Sequence, residues 1–274
     1  MEHKPLVYRH SVSTRLTHWL GALALLILVM SGFQIFNAAP YLDASDKSLP
    51  ADSQHHVLAI ESRQDPQTHA PVGYVQILGH SITTTGLLGY TDNGDGSQTA
   101  RAFPAWITLP GYQALADGRR WHLFFGWLLS IAGIWYLAAG VASGKFKKVI
   151  IRKDDLPKLL PMQLYYLHLR KTPPPYAEYN PLQKMAYTLV IFVFAPLIIL
   201  SGLALSPGVD SLLMPITAVF GGRQFARLWH FILTFALIGF TLVHLTMVFT
   251  QGAYNNIRSM ITGWYRPGEH EVEA

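Results

Sequence analysis

The chain is 274 residues long, half of it hydrophobic and only 14% charged, with a mean hydropathy of +0.24 and no cysteine. This composition excludes a soluble globular fold, and the missing thiols exclude disulfides, thiolate-held iron–sulfur clusters and haem attached through C-x-x-C-H. The formal charge of +5 reads as a topology signal and requires no nucleic-acid partner.

The ionisable residues leave four long uncharged runs, Leu16 to Leu42, Trp121 to Gly144, Met185 to Val209 and Leu228 to Ile257, of 27, 24, 25 and 30 residues. A helix needs about 20 apolar residues to cross a ~30 Å hydrocarbon core. The expected fold is therefore an all-α integral membrane protein, a four-helix transmembrane bundle with spans at about 16–36, 121–142, 185–206 and 228–250.

Arg9 and Arg15 before the first span, with Ala38-Ala39 after it, outline a secretory leader. The apolar stretch is too long for a leader's h-region and is read as a retained helix. Residues 43–120 form a long insert between spans one and two. A fifth uncharged run within it, Pro66 to Thr91, carries prolines, histidines, glutamines and Thr83-Thr84-Thr85, which keep it out of hydrocarbon. Thr91-Asp92-Asn93-Gly94-Asp95-Gly96 reads as a turn and does not fit a calcium loop. The connection 145–184 holds nine Lys and Arg residues and a stiff Pro173-Pro174-Pro175 spacer. Pro196 inside the third span predicts a kink. No internal repeat is detected. Lys and Arg number fourteen on the side of the N-terminus, the 145–184 connection and the C-terminus, and seven on the side of the insert. The positive-inside rule then predicts both termini in the cytoplasm of a bacterial inner membrane and the insert in the periplasm.

Four histidines lie in the uncharged runs: His18 in the first, His122 in the second, His230 and His244 in the fourth. Ionisable groups inside a membrane are costly and mark function by default. Spans one and two run in opposite directions, so His18 falls near the cytoplasmic face and His122 near the outer one. Span four starts outside and puts His230 at the depth of His122. His244 comes fourteen residues later, ~21 Å deeper at ~1.5 Å per residue and on almost the same helix face. It arrives at the depth of His18. A single membrane histidine more often hydrogen-bonds a neighbouring helix than binds metal, but two pairs at matched depths, without carboxylate or thiolate, suit bis-histidine haem iron. Gly21, Gly126 and Gly239 near these histidines leave room for a flat ring.

The opening Tyr8-Arg9-His10-Ser11-Val12-Ser13-Thr14-Arg15-Leu16-Thr17-His18-Trp19 resembles the H-x4-R-x2-H-W start of the di-haem cytochrome b family, the membrane subunits of nickel–iron hydrogenases, formate dehydrogenases and thiosulfate reductases. The likeness continues through Gly118-Arg119-Arg120-Trp121-His122, Tyr179-Asn180-Pro181-Leu182-Gln183-Lys184 and the two histidines of span four. It is nearest to the thiosulfate reductase cytochrome b-like branch, because of the long insert. The resemblance implies two b haems, one on His18 and His244 and one on His122 and His230, and a membrane quinone site at the cytoplasmic side formed by Asn180, Gln183 and Lys184. A helix cap with interfacial anchors is the competing reading of those three. Arg15, Arg119, Arg120 and Arg227, together with Arg223, are candidate partners for haem propionates, or headgroup anchors. His10 reads as solvated, and His55, His56, His69 and His80 lack metal-ligand spacing.

The expected function is electron transfer between membrane quinone and a periplasmic redox partner, a molybdenum-containing oxidoreductase in the related branch, with the insert as docking surface and Tyr41, Phe103, Trp106 and Tyr112 as aromatic anchors. Two alternatives stand beside it: a self-sufficient membrane haem oxidoreductase acting on a small oxidant such as superoxide, and a haem-free transporter with a histidine proton relay.

Overall fold

The computed structural model describes residues 5–44, 56–93, 95–210 and 215–267. Four of its helices are long and apolar enough to cross a membrane: α1 (Val12–Phe36), α2 (Leu115–Ala142), α3 (Pro181–Leu205) and α4 (Arg223–Thr250). Each covers one expected span to within a residue and begins four to six residues before it, because polar and interfacial residues continue the backbone hydrogen bonding ahead of the first apolar residue. α3 is interrupted as Pro196 demands. A π-helical turn over Val190–Phe194 precedes the proline and absorbs the carbonyl that has no N–H to accept. A fifth helix, α5 (Ala253–Thr262), follows α4 and ends on Gly263 at φ 91, the left-handed position that suits glycine.

The chain divides into two compact units, to both of which the long helices contribute. The first comprises 1–19, 131–197 and 235–274. Here the strand β1 (Val7–Tyr8) pairs antiparallel with a strand at Trp264–Tyr265, and Arg9 N–H donates to the Gly263 carbonyl at 2.8 Å. The Trp19 indole donates to the Met260 carbonyl at 3.0 Å, and the Arg15 guanidinium donates to that of Ile261. These bonds fasten α5 across the start of α1.

The second unit comprises 20–130 and 198–234, and it corrects the all-α expectation. The insert is largely β-structure: β2 (Tyr41–Leu42), β3 (Leu58–Gln64), β4 (Pro71–Ile77) and β5 (His80–Thr83) form an antiparallel sheet in chain order, and β6 (Gly89–Asp92) and β7 (Gln98–Arg101) a separate hairpin. Residues such as Val72, Tyr74, Val75 and Ile77 favour a pleated, half-buried surface. Polarity alone keeps the segment out of hydrocarbon but does not distinguish a loop from a sheet. Gly73 and Gly89 let β4 and β6 cross closely, since a Cβ on either would collide with backbone of the other strand.

The core of this unit joins insert to helix. Phe36, Leu42, Ile60, Ala102 and Phe103 are buried together. Phe103 stacks on Phe33 with centroids 4.1 Å apart, and Phe36 lies 5.0 Å from Phe231 of α4. Phe103 is thus a core residue and not a docking anchor, Tyr41 is half-buried, and Trp106 and Tyr112 are 78% and 65% exposed.

Candidate haem-binding site

In the first unit α1 and α4 bring His18 and His244 together with ring centroids 6.3 Å apart. In the second, α2 and α4 bring His122 and His230 to 6.0 Å. Two imidazoles on one metal through bonds of about 2 Å have centroids roughly 6 Å apart, so each pair is spaced for a single ion between its rings. Among the described residues no group of three or more His, Asp or Glu side chains gathers as a metal site. Two imidazoles with no further protein ligand would suit the iron of a haem, a group that brings its own remaining donors. A Cβ built on Gly21, Gly126 or Gly239 would meet nothing within 4 Å, so the space expected beside these glycines is open. By these tests the residues fit two haems.

The surroundings of the pairs differ. His122 Nδ1 lies 3.0 Å from Ser31 Oγ and His230 Nδ1 lies 2.9 Å from Ser201 Oγ, and both serines are fully buried. The glycine after each serine packs on the ring, a Cβ at Gly32 or Gly202 coming 3.3 Å from the Cε1 of His122 or His230. Ser31-Gly32 and Ser201-Gly202 are absent from the sequence expectation. The signal was available: Val-Met-Ser-Gly-Phe near the end of span one and Ile-Leu-Ser-Gly-Leu near the end of span three. His18 Nδ1 is buried without a hydrogen-bond partner among the described residues, its ring edge-on to Trp19 at 5.2 Å, and His244 stacks on Phe240 at 5.7 Å.

The first unit also gathers polar groups near α1's start. Arg9 pairs with Glu178 at 3.6 Å and lies over the rings of Tyr179 and Tyr265. Lys145 donates to Thr14 Oγ1 at 3.0 Å, and burial lowers its pKa. His10 is half-buried with an unbonded Nδ1. Burial, followed by the charges of Lys145 and Arg9, holds it at about 4, so it is a neutral imidazole and not the solvated one expected.

Asn180 caps α3: its side-chain oxygen accepts the Gln183 N–H at 2.9 Å, and Gln183 Oε1 accepts the Asn180 N–H at 3.1 Å. The Asn180 amide also donates to the Tyr166 hydroxyl at 2.9 Å, and Lys184 pairs with Asp155 at 3.1 Å. All three expected quinone residues stand together, engaged in a capping box and an ion pair. The arginines diverge. Arg15 retains a buried Nε without a partner among the described residues. Arg227 donates to the Ala39 carbonyl and covers the rings of Phe36 and Tyr41. Arg119 and Arg120 are exposed, Arg120 held by Asp117 at 3.1 Å, and Arg223 donates to the Leu205 carbonyl at 3.0 Å. His56 is buried against Asp43 at 2.5 Å and stacks on Tyr41. His69 and His80 are exposed in the insert, and His55 lies outside the described residues.

Residues 9–263 match the sequence profile of prokaryotic cytochrome b561. A putative protein-methionine-sulfoxide reductase subunit, YedZ1, of Azospira oryzae is 29% identical over 248 residues, covering 87% of this chain and 89% of its own. The chain belongs to the prokaryotic cytochrome b561 family, a multi-pass membrane protein of electron transfer that binds haem b.

Proposed function

We propose that this member of the cytochrome b561 family holds two b haems, on His18/His244 and His122/His230, and carries electrons between membrane quinone and a redox enzyme outside the cytoplasm. The observation that carries this reading is the pair of imidazole separations, 6.3 and 6.0 Å, built from three helices with α4 common to both. When bound, haem supplies reversible one-electron chemistry at its iron. The chain would supply the imidazole nitrogens that hold it, the glycine-lined space and counter-charges, with Arg15 for propionates at the His18/His244 pair and Arg227, Arg119 and Arg120 at the other.

In this reading the termini lie in the cytoplasm of a bacterial inner membrane and the insert in the periplasm. Quinone is exchanged beside the His18/His244 pair, with Asn180, Gln183 and Lys184 shaping its wall. The neighbouring cluster of Arg9, His10 and Lys145 supports a site where protons and negative charge are handled. The insert presents Trp106 and Tyr112 to the partner. That the YedZ1 relative carries the name of a reductase subunit supports an oxidoreductase as partner, and a molybdenum enzyme is the proposal.

A pyridine haemochrome assay on the purified protein tests the first claim, with two haems per chain expected. One or none refutes it. Reduction of both haems by a quinol analogue, followed by reoxidation on adding the exported partner, tests the second.

A further inference from the structure

Two helix pairs in the second unit repeat one arrangement, and from it we infer that Ser31 and Ser201 are positioning residues that fix the tautomer of His122 and His230 and thereby set the reduction potential of the haem these histidines hold. The inference rests on the haem reading above and adds the groups that tune it.

A hydroxyl has one proton to give. Ser31 spends it on the Ile27 carbonyl at 2.7 Å, and Ser201 on that of Ile198 at 3.0 Å. Each Oγ then faces its imidazole with lone pairs, and at 3.0 and 2.9 Å it accepts from the histidine Nδ1, a proton toward which the backbone carbonyls of Leu28 and Ile198 also point. A neutral imidazole protonated at Nδ1 keeps its lone pair on Nε2, the form that ligates a metal. The next residue completes the slot: Gly32 and Gly202 bring helix backbone against the ring, where a Cβ would stand 3.3 Å from Cε1. The same Ser-Gly step thus holds one axial histidine from α1 and the other from α3. The His18 ring provides an internal contrast, since its Nδ1 has no protein acceptor among the described residues.

A hydrogen bond from Nδ1–H makes the imidazole more basic and so favours the more highly charged ferric iron. Without the serine oxygen the reduced state gains. Outer-shell partners of metal-bound histidines are worth at least about tenfold in metal affinity, and a tenfold change in a one-electron reduction constant corresponds to about 59 mV.

The test is a potentiometric titration, followed by visible absorbance, of the purified parent and of Ser31→Ala, Ser201→Ala and Ser201→Thr. Both alanine variants are expected to raise the reduction constant of one haem about tenfold, leaving it low-spin and leaving the other haem unmoved. The threonine, which keeps the hydroxyl, should remain within about threefold of the parent. The responding haem must be the one that His230→Ala removes. Alanine variants within threefold of the parent at both haems, a fall instead of a rise, or a shift confined to the haem that His244→Ala removes would each overturn the inference. Because the two serines lie on different helices, failure of one variant to fold leaves the other as the test. A parent chain without haem would instead refute the reading of function.

Discussion

Arg101 ties the 101–111 segment of the insert to itself and to Gln34 of α1, and replacing it with methionine should loosen the insert without unfolding the long helices. The side chain is 5% exposed and donates to the Phe103 carbonyl at 2.8 Å, the Gly111 carbonyl at 2.8 Å, Thr108 Oγ1 at 2.9 Å and Gln34 Oε1 at 3.3 Å. Three of these acceptors belong to residues with other bonds. Phe103 still accepts from Asn37 at 3.2 Å, Thr108 still donates to Ala105, and the Gln34 amide still donates to Tyr112. Gln34 Oε1, on a residue 2% exposed, loses its donor and would be left as an unpaired buried acceptor, at a cost of about 1–3 kcal/mol. Loss of the remaining charge-assisted bonds adds a comparable amount, offset by the burial penalty of the guanidinium that methionine avoids. The net expectation is about 3 kcal/mol, roughly a hundredfold in the opening equilibrium. Hydrogen exchange of the β3 and β4 amides in nanodiscs measures that opening directly. Exchange accelerated less than about fivefold in R101M, equivalent to under about 1 kcal/mol, would refute this role of Arg101 as a tie. The spectrum of the haem at His18/His244 should be unchanged throughout.

Three further outcomes follow from the site. His244→Ala should remove the haem shared with His18 and spare the other, and His230→Ala the reverse; haem content and redox titration read both, and a single variant stripping only the opposite haem would refute the pairing. Asn180→Asp preserves the α3 cap, since aspartate accepts from N3 as well as asparagine does, while removing the amide that faces Tyr166. Slower quinol-driven haem reduction in Asn180→Asp and Lys184→Met, with both haem spectra retained, is the expected result, and unchanged quinol kinetics in both would displace the quinone from this wall. His10 concerns pH. The folded chain keeps it neutral down to about 4, whereas an unfolded chain protonates it near 6.5, so between those values acid favours the unfolded state and stability falls as pH falls. His10→Gln should lose less thermal stability between pH 7 and pH 5 than the parent, and an identical loss would remove His10 from the account.

The spans and the four histidines within them are legible in the sequence because hydrocarbon is an unforgiving solvent. It excludes charge over some twenty residues at a time, and an imidazole in such a run stands out without any knowledge of tertiary contacts. The interruption of α3 is legible for the same reason, as Pro196 removes one N–H that nothing in lipid can replace, although its form as a π-turn over Val190–Phe194 is not. The insert is less legible. Its uncharged stretch reads as extramembrane, yet the pairing of β3 with β4 depends on contacts between residues such as Leu58 and Ile77, nineteen positions apart, which no local window contains. Phe103 looks like an anchor in a list of aromatics and becomes core only through Phe33 and Phe36.

The supports of the histidines were hidden by their chemistry. A serine in a membrane helix usually satisfies itself on the carbonyl a turn earlier, as Ser130, Thr234 and Thr241 do here, so of the local sequence only the glycine that follows marks Ser31 and Ser201. What separates them is a second acceptor lone pair aimed at an imidazole on another helix, together with a glycine that admits the ring. The two copies sit at corresponding places, a Ser-Gly near the end of α1 and of α3 and a histidine in the second or third turn of α2 and of α4. A repeat of arrangement is therefore present where no repeat of sequence is detected, because only three residues per copy need to agree. The His18/His244 pair lacks this support. If hydrogen bonding at Nδ1 alone separated the two haems, the one at His122/His230 would be the harder to reduce. The neighbouring cations Arg9, Lys145 and Arg15, all in the unit that holds His18, act in the same direction, since positive charge favours the reduced iron.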